Sequence, residues 1–475
     1  MTRRALTRCL AAGVLAGCAT NPATGNREIS LVSEAQEISI GDQTVAAARA
    51  SIGIYPDSAL QRYVHALGAR LAATTERPAL PWNFEVVDDP EVNAFAAPGG
   101  KVFVTRGILP FLGSEAELAG VLGHESGHVT ARHTARQITR QQLFGIGLIA
   151  GSILSSSVAQ NAGAIQQGLG VLFLSFSRGD ESQADELGFR YLRRLNYEPH
   201  EMSKTFKTLE RVGNLSGGGR LPTWASTHPD PGDRYQKAEQ RAASVPADSL
   251  QRAIVNRDSY LRVIDGIVFG VNPRQGYFEG TRFYHPDLRF RLDFPAGWQT
   301  QNRADAVLAG SPAGDAIVQL SLGGSDSPDV LLQKFSQQQG VQVSGGQRTS
   351  VNGLSAATSE FQAQDDQGNT LAGRVMFVAY GGTTYQLLGY STGAKYGGYS
   401  GVIRQTMQSF AQLTDQAALS KQPVHLSFVR LPRAMTIEEF YRQYPSTVKL
   451  EIITVLNGVE PGATLPAGTM AKRVQ

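Results

Sequence analysis

The chain has 475 residues, 41% hydrophobic and 18% charged, which is too apolar for a disordered chain and too poor in charge for a coiled coil. At about 100–200 residues per domain it reads as a globular protein of several domains. The formal charge of +3 is accounted for by Arg3, Arg4 and Arg8 in a leader segment without acids, so nucleic-acid binding driven by net charge is excluded.

Residues 1–17 join that basic start to an apolar run from Leu10 to Ala16, shorter than the ~20 residues of a membrane span, and read as an export signal. The run ends Leu15-Ala16-Gly17-Cys18, which resembles a bacterial lipobox and implies acylation of Cys18 as the first residue of a lipid-anchored protein. Ala19 after the cysteine implies, by the same resemblance, the outer membrane of a Gram-negative bacterium. Cys9 leaves with the leader, so no disulfide is expected in the periplasm. Residues 18–29 read as a polar tether.

Helical periodicity with scattered strands follows to about residue 245. Ser114 with Glu117 three residues later predicts a capping box, opening a helix that continues through Leu118, Val121 and Leu122 into His124-Glu125-Ser126-Gly127-His128. His124 and His128 stand one turn apart on one face, the spacing of two imidazole ligands to one zinc ion. Glu125 lies beside that face, placed to take a proton from zinc-bound water.

From Gln141 to Ser177 no residue is charged, but the apolar run Leu143 to Leu154 is too short to span a bilayer and reads as a buried or membrane-touching helical hairpin. Catalytic zinc needs a third protein ligand. Thr134 occupies the place of a metzincin's third histidine. A glutamate on a downstream helix with an acid four residues on is the alternative, and Glu181 and Asp185 fit it. Glu181 is the expected third ligand; Asp185 is expected to accept the free ring N–H of His124.

The order His-Glu-x-x-His, then Ser177-Arg178-x-x-Glu181-x-x-Ala184-Asp185, then Thr227-His228-Pro229 with Arg234 six residues later, resembles the HtpX, BepA and CAAX-prenyl-protease group, peptidase family M48. Asn21-Pro22-Ala23-Thr24-Gly25 and Asn93 to Gly100 leading into Lys101-Val102-Phe103-Val104-Thr105 resemble it too. The resemblance implies a gluzincin-type zinc peptidase with one Zn2+ per chain. It further implies that Lys101–Thr105 is the edge strand that receives an extended substrate, and that His228 and Arg234 stabilise the oxyanion. In some relatives the histidine instead binds zinc and keeps the enzyme latent, and Gly217–Gly219 would permit such a switch. His65, His133, His200, His285 and His425 are read as structural.

From about residue 280 the texture turns to alternating strands, with a hairpin signal at Gly381-Gly382. Phe294-Pro295-Ala296-Gly297-Trp298 resembles the opening of PsbP- and Mog-like modules. Residues 423–475 resemble a degenerate LysM module, which implies peptidoglycan as a partner, although Arg433-Ala434-Met435-Thr436 replaces the usual Gly-Asp-Thr turn.

The expected architecture is therefore α+β and multidomain: signal peptide 1–17, tether 18–29, mainly helical peptidase domain 30–265 with a small edge sheet, α/β accessory domain 280–415, and LysM-like β-α-α-β module 423–475. The expected function is that of a membrane-tethered periplasmic zinc endopeptidase acting on misfolded or misassembled envelope proteins. The alternatives are an outer-membrane assembly chaperone or peptidoglycan-bound scaffold with a latent zinc site, and a peptidoglycan amidase.

Overall fold

A computed structural model describes residues 18–143, 175–215, 224, 227, 228, 231–364 and 368–475. The leader, most of the uncharged stretch and Gly217–Gly219 lie outside them. Among the described residues no helix is long and apolar enough to cross a membrane.

The segment expected to be a tether is a docked hairpin. Strands β1 (Cys18–Thr20) and β2 (Arg27–Ile29) pair antiparallel, Cys18 opposite Ile29. Asn21 is buried at their turn and donates from Nδ2 to Glu28 and to the carbonyl of Ala131. A polar composition reads as a linker, yet these polar groups are spent on the peptidase core.

Two helices follow, α1 (Glu34–Ser51) and α2 (Ser58–Ala72). Strands β3 (Asn83–Val87), β4 (Ala94–Ala97) and β5 (Lys101–Thr105) form a three-stranded sheet in the order β3-β5-β4. Helices α3 (Glu115–Thr130), α4 (His133–Leu143), α5 (Arg178–Arg194), α6 (His200–Leu215), α7 (Pro231–Ala243) and α8 (Arg257–Val263) complete the helical layer. One buried cluster joins Leu118, Val121 and Leu122 of α3 to Ala94 and Ala96 of β4, Leu187 and Tyr191 of α5, and Met202 and Phe206 of α6.

The accessory region was expected to be α/β, but its described strand pairs are all antiparallel, so it is α+β. Its larger sheet has seven strands, starting at the exposed strand Gln299–Asn302. The smaller has four. Helices Pro328–Ser336 and Tyr396–Gln408 cover the larger sheet. The Gly381-Gly382 hairpin forms as expected: Tyr380 pairs with Thr383 across two glycines at φ 63° and 83°, a primed turn that matches strand twist.

The C-terminal segment places two short helices between an outer strand pair, Val424–Arg430 with Met470–Val474, and an inner pair, Met435–Thr436 with Thr464–Leu465, and is not a free module. Its first strand, Val424–Arg430, pairs with Met470–Val474 on one side and with Val268–Phe269, at the end of the peptidase region, on the other. Leu426 enters the peptidase core. Lys472, 1% exposed, donates from Nζ to the carbonyls of Pro110 and Leu112, at 2.8 and 2.6 Å, just ahead of α3.

Candidate active site

Ser114 caps α3, accepting from the Glu117 N–H at 3.1 Å. The reciprocal half of the expected box is absent. Ser114 Oγ donates instead to Glu201 at 2.6 Å, and Glu117 turns inward, where burial and the nearby Glu201 carboxylate push its pKa up to about 7. Helix α5 has the full box: Ser177 accepts from the Asp180 N–H, and Asp180 accepts from the Ser177 N–H.

Glycine allows α3 and α5 to touch backbone to backbone. A Cβ on Gly188 would lie 2.8 Å from the nitrogen of His124, and one on Gly127 would lie 2.9 Å from the carbonyl of Ala184. No real side chain fits at that separation. This contact brings Glu181 and Asp185 beside His124 and His128.

His124, His128, Glu181 and His228 each offer one donor atom, all within 4.8 Å of one another and all buried. His124 and His128 face each other through Nε2 at 3.0 Å. Burial lowers the pKa of both, which keeps them neutral, the form that ligates metal. Glu181 lies 3.6 Å from His124 Nε2 and 3.4 Å from His128 Nε2. Although burial acts the other way, His228 and Arg234 hold its carboxyl well below the usual range. The neutral imidazoles of His124 and His128 with the ionised carboxylate of Glu181 suit Zn2+. Asp185 meets His124 Nδ1 at 2.9 Å, which assigns the proton to Nδ1 and leaves Nε2 toward the cluster.

Glu125 is 1% exposed, and neither carboxylate oxygen has a hydrogen-bond partner; His228 Nε2 lies 3.7 Å from one of them. Burial pushes its carboxyl up against the pull of His228 and His128. A cavity of about 10 Å³ opens here, bounded by Val121, His124, Glu125, Phe206, Trp224 and Arg234, at the lower limit of room for one water.

Three site expectations change. Lys101–Thr105 is not an edge: β5 is the central strand, parallel to β3 on one side and antiparallel to β4 on the other. All five residues are buried, with Lys101 Nζ donating to the carbonyl of Pro81. Both faces of its ladder are taken, so no peptide can pair there. The outer side of β3 is also engaged, by Tyr55 and by the Gln61 amide on Val86. β4, packed against α3, has no strand on its outer side among the described residues.

Arg234 is held among carboxylates and aromatic rings, with Nη1 buried and in no hydrogen bond among the described residues. It binds Asp185 at 2.7 and 2.9 Å and Glu181 at 2.8 Å, and lies 4.4 Å from the ring of Phe206 and 4.9 Å from that of Trp224. His228 stands among the metal donors, its Nδ1 3.0 Å from Glu181 and 3.3 Å from His124 Nε2, with Trp224 stacked on its ring.

His133, read as structural, touches the cluster. Its Nδ1 lies 2.8 Å from His128 Nδ1. No local pattern in the sequence marks this, because α3 does not run on: it ends at Thr130, and Arg132 at φ 57° folds His133 back. The side chain of Cys18 lies outside the described residues.

Residues 58–242 match the model of peptidase family M48. A beta-barrel assembly-enhancing protease of Yersinia pestis is 33% identical over 234 residues, 46% of this chain and 47% of the relative. The mitochondrial metalloendopeptidase OMA1 of Schizosaccharomyces pombe is 36% identical over 181 residues, 38% of this chain and 52% of the relative. The chain thus spans about half the length of these curated relatives. The solution structure of a cyanobacterial PsbP from Synechocystis matches at a TM-score of 0.23 and 11% identity, covering 28% of this chain and 94% of that one, a likeness too slight to assign the fold. The family match falls on the helices and the sheet that assemble the four-donor cluster, and the chain carries a zinc metallopeptidase domain of peptidase family M48.

Proposed function

We propose that the protein is an envelope endopeptidase of the periplasm, hydrolysing peptide bonds in misfolded or misassembled outer-membrane proteins. The observation that carries the reading is Glu125: a buried, unpartnered carboxylate beside a four-donor metal cluster. A structural zinc site needs no such group, and an unsatisfied buried carboxylate costs about 1–3 kcal/mol, a cost that a proton-transfer role accounts for. The envelope assignment is supported by the similarity to the assembly-enhancing protease and by the lipobox-like segment ending at Cys18.

His124, His128 and Glu181 would hold the metal. Zinc at such a site polarises the scissile carbonyl and acidifies water beside it. Glu125 takes the proton of the attacking water and returns it to the amine nitrogen as the peptide bond breaks. Asp185 fixes His124, and Arg234 holds Asp185 and Glu181 in register. The substrate adds as a strand to the free edge of β4.

A second reading concerns the state of the site. His228 Nδ1 is in the donor set, and four protein donors leave no open position for chemistry. This arrangement is the closed state, and hydrolysis requires His228 to leave. The C-terminal segment, locked to the peptidase core through Lys472 and Leu426, acts as a buttress.

The test is digestion of an unfolded outer-membrane protein by zinc-loaded chain, with chelated and Glu125→Gln samples alongside. Cleavage by the zinc-loaded wild type alone supports the peptidase; cleavage that survives chelation refutes it.

A further inference from the structure

Beyond the four donors, one buried imidazole has a hydrogen-bond pattern with a single consistent solution. If His128 presents Nε2 to the metal, its proton sits on Nδ1. Among the described residues the group facing that proton is His133 Nδ1 at 2.8 Å, which must then accept. His133 carries its own proton on Nε2, which lies 2.9 Å from Gln183 Oε1, an atom that only accepts. Each step fixes the next, from Gln183 on α5 to the cluster-facing lone pair of His128. His124 has a carboxylate in this place. His128 has a neutral imidazole, itself oriented by an amide.

The placement of His133 is reinforced from outside. Arg132 donates to Glu37 and, at 2.7 Å, to the carbonyl of Val32. Arg136, one turn past His133, bridges Glu28 of the N-terminal hairpin at 3.0 Å and Asp180 of α5 at 2.6 Å. Asn21 holds the carbonyl of Ala131 at 3.2 Å. The bend between α3 and α4 is thus gripped by the first residues after Cys18, and the gripped bend carries His133. Phe176, stacked 4.1 Å from the His128 ring, covers the remaining face.

We propose that His133 is a positioning residue of the metal site: with Gln183 behind it, it sets the tautomer and orientation of His128. The proposal rests on the reading of His128 as a ligand. Outer partners of this kind are commonly worth 10–100-fold in metal affinity.

The test measures zinc affinity of the full chain by competition with a chromophoric chelator, and thermal unfolding of the metal-free forms. His133→Leu removes the acceptor and is expected to weaken zinc binding about 10–100-fold. His133→Asn keeps an oxygen near the position of Nδ1 and is expected to restore affinity to within a few-fold of wild type. Gln183→Leu frees His133 to flip its tautomer and is expected to cost about 10-fold; it decides the matter if His133→Leu fails to fold. His133→Leu with unchanged affinity, or His133→Asn as weak as His133→Leu at equal metal-free stability, overturns the proposal. In either case normal wild-type binding, abolished in His128→Ala, leaves the metal-site reading standing. A wild type that binds no zinc overturns that reading, and the proposal with it.

Discussion

Arg234 grips Asp185 through two hydrogen bonds, 2.7 and 2.9 Å, and the same carboxylate meets His124 Nδ1 at 2.9 Å. The guanidinium also reaches Glu181 at 2.8 Å. One buried cation therefore balances the two carboxylates that the metal site needs, before any metal arrives.

Arg234→Leu would leave both carboxylates buried with the cation they share gone. Breaking such a pair costs about 3–5 kcal/mol, so chemical denaturation of the metal-free variant should show a loss of that order. A residue that served only a developing oxyanion would cut the rate and leave this stability unchanged.

His228→Ala removes one of four donors and opens a coordination position. Zinc should still bind through His124, His128 and Glu181, more weakly, and hydrolysis of an unfolded protein should rise above wild type. A fall of roughly 100-fold at full zinc occupancy would instead return His228 to the oxyanion role.

Lys472→Met leaves the buried carbonyls of Pro110 and Leu112 without their donor, at about 1–3 kcal/mol. The variant should melt earlier, and limited proteolysis should cut first within residues 423–475. If melting and proteolysis match wild type, the C-terminal segment is not locked to the peptidase as described.

Glu117 carries a sign that can be checked. Its carboxyl is raised to about 7 in the folded chain by burial and by Glu201. The stability it contributes is complete below the unfolded value and is lost as pH rises through 7. Glu117→Gln stays neutral, so its stability relative to wild type should climb between about pH 4.5 and 7, by at most about 1.4 kcal/mol per unit. Lys472 lies close enough to offset part of this, and the slope should steepen in the Lys472→Met background. A flat difference would contradict the assignment.

What the sequence exposed best was whatever a single helix carries. His124, His128, Glu181 and Asp185 were legible because i and i+4 on a helix share a face, and the Asp185–His124 pairing followed from ligand chemistry. Lys101–Thr105 was placed at the edge by the family resemblance, and its short apolar run could not check that, since such a run reads the same at the edge or the centre of a sheet; the order β3-β5-β4 is set by a parallel pairing that no local pattern encodes. His133 was hidden by one residue, Arg132, whose left-handed backbone breaks the helix that periodicity continues. Arg234 was given an oxyanion role by the family resemblance, and its grip on Asp185, 49 residues earlier, lay outside any local pattern. Lys472 reaches its carbonyls across more than 350 positions, at separations of 360 and 362, beyond any motif.

The central claim is that Glu125 is the base of a zinc peptidase and no ligand. The direct measurement is Glu125→Gln beside wild type, with zinc content and the rate of cleavage of an unfolded outer-membrane protein read on the same samples. The account predicts about one zinc in each and a rate lower by about 10²–10⁴-fold in the variant. Equal rates at equal zinc, or loss of zinc from the variant, would contradict it.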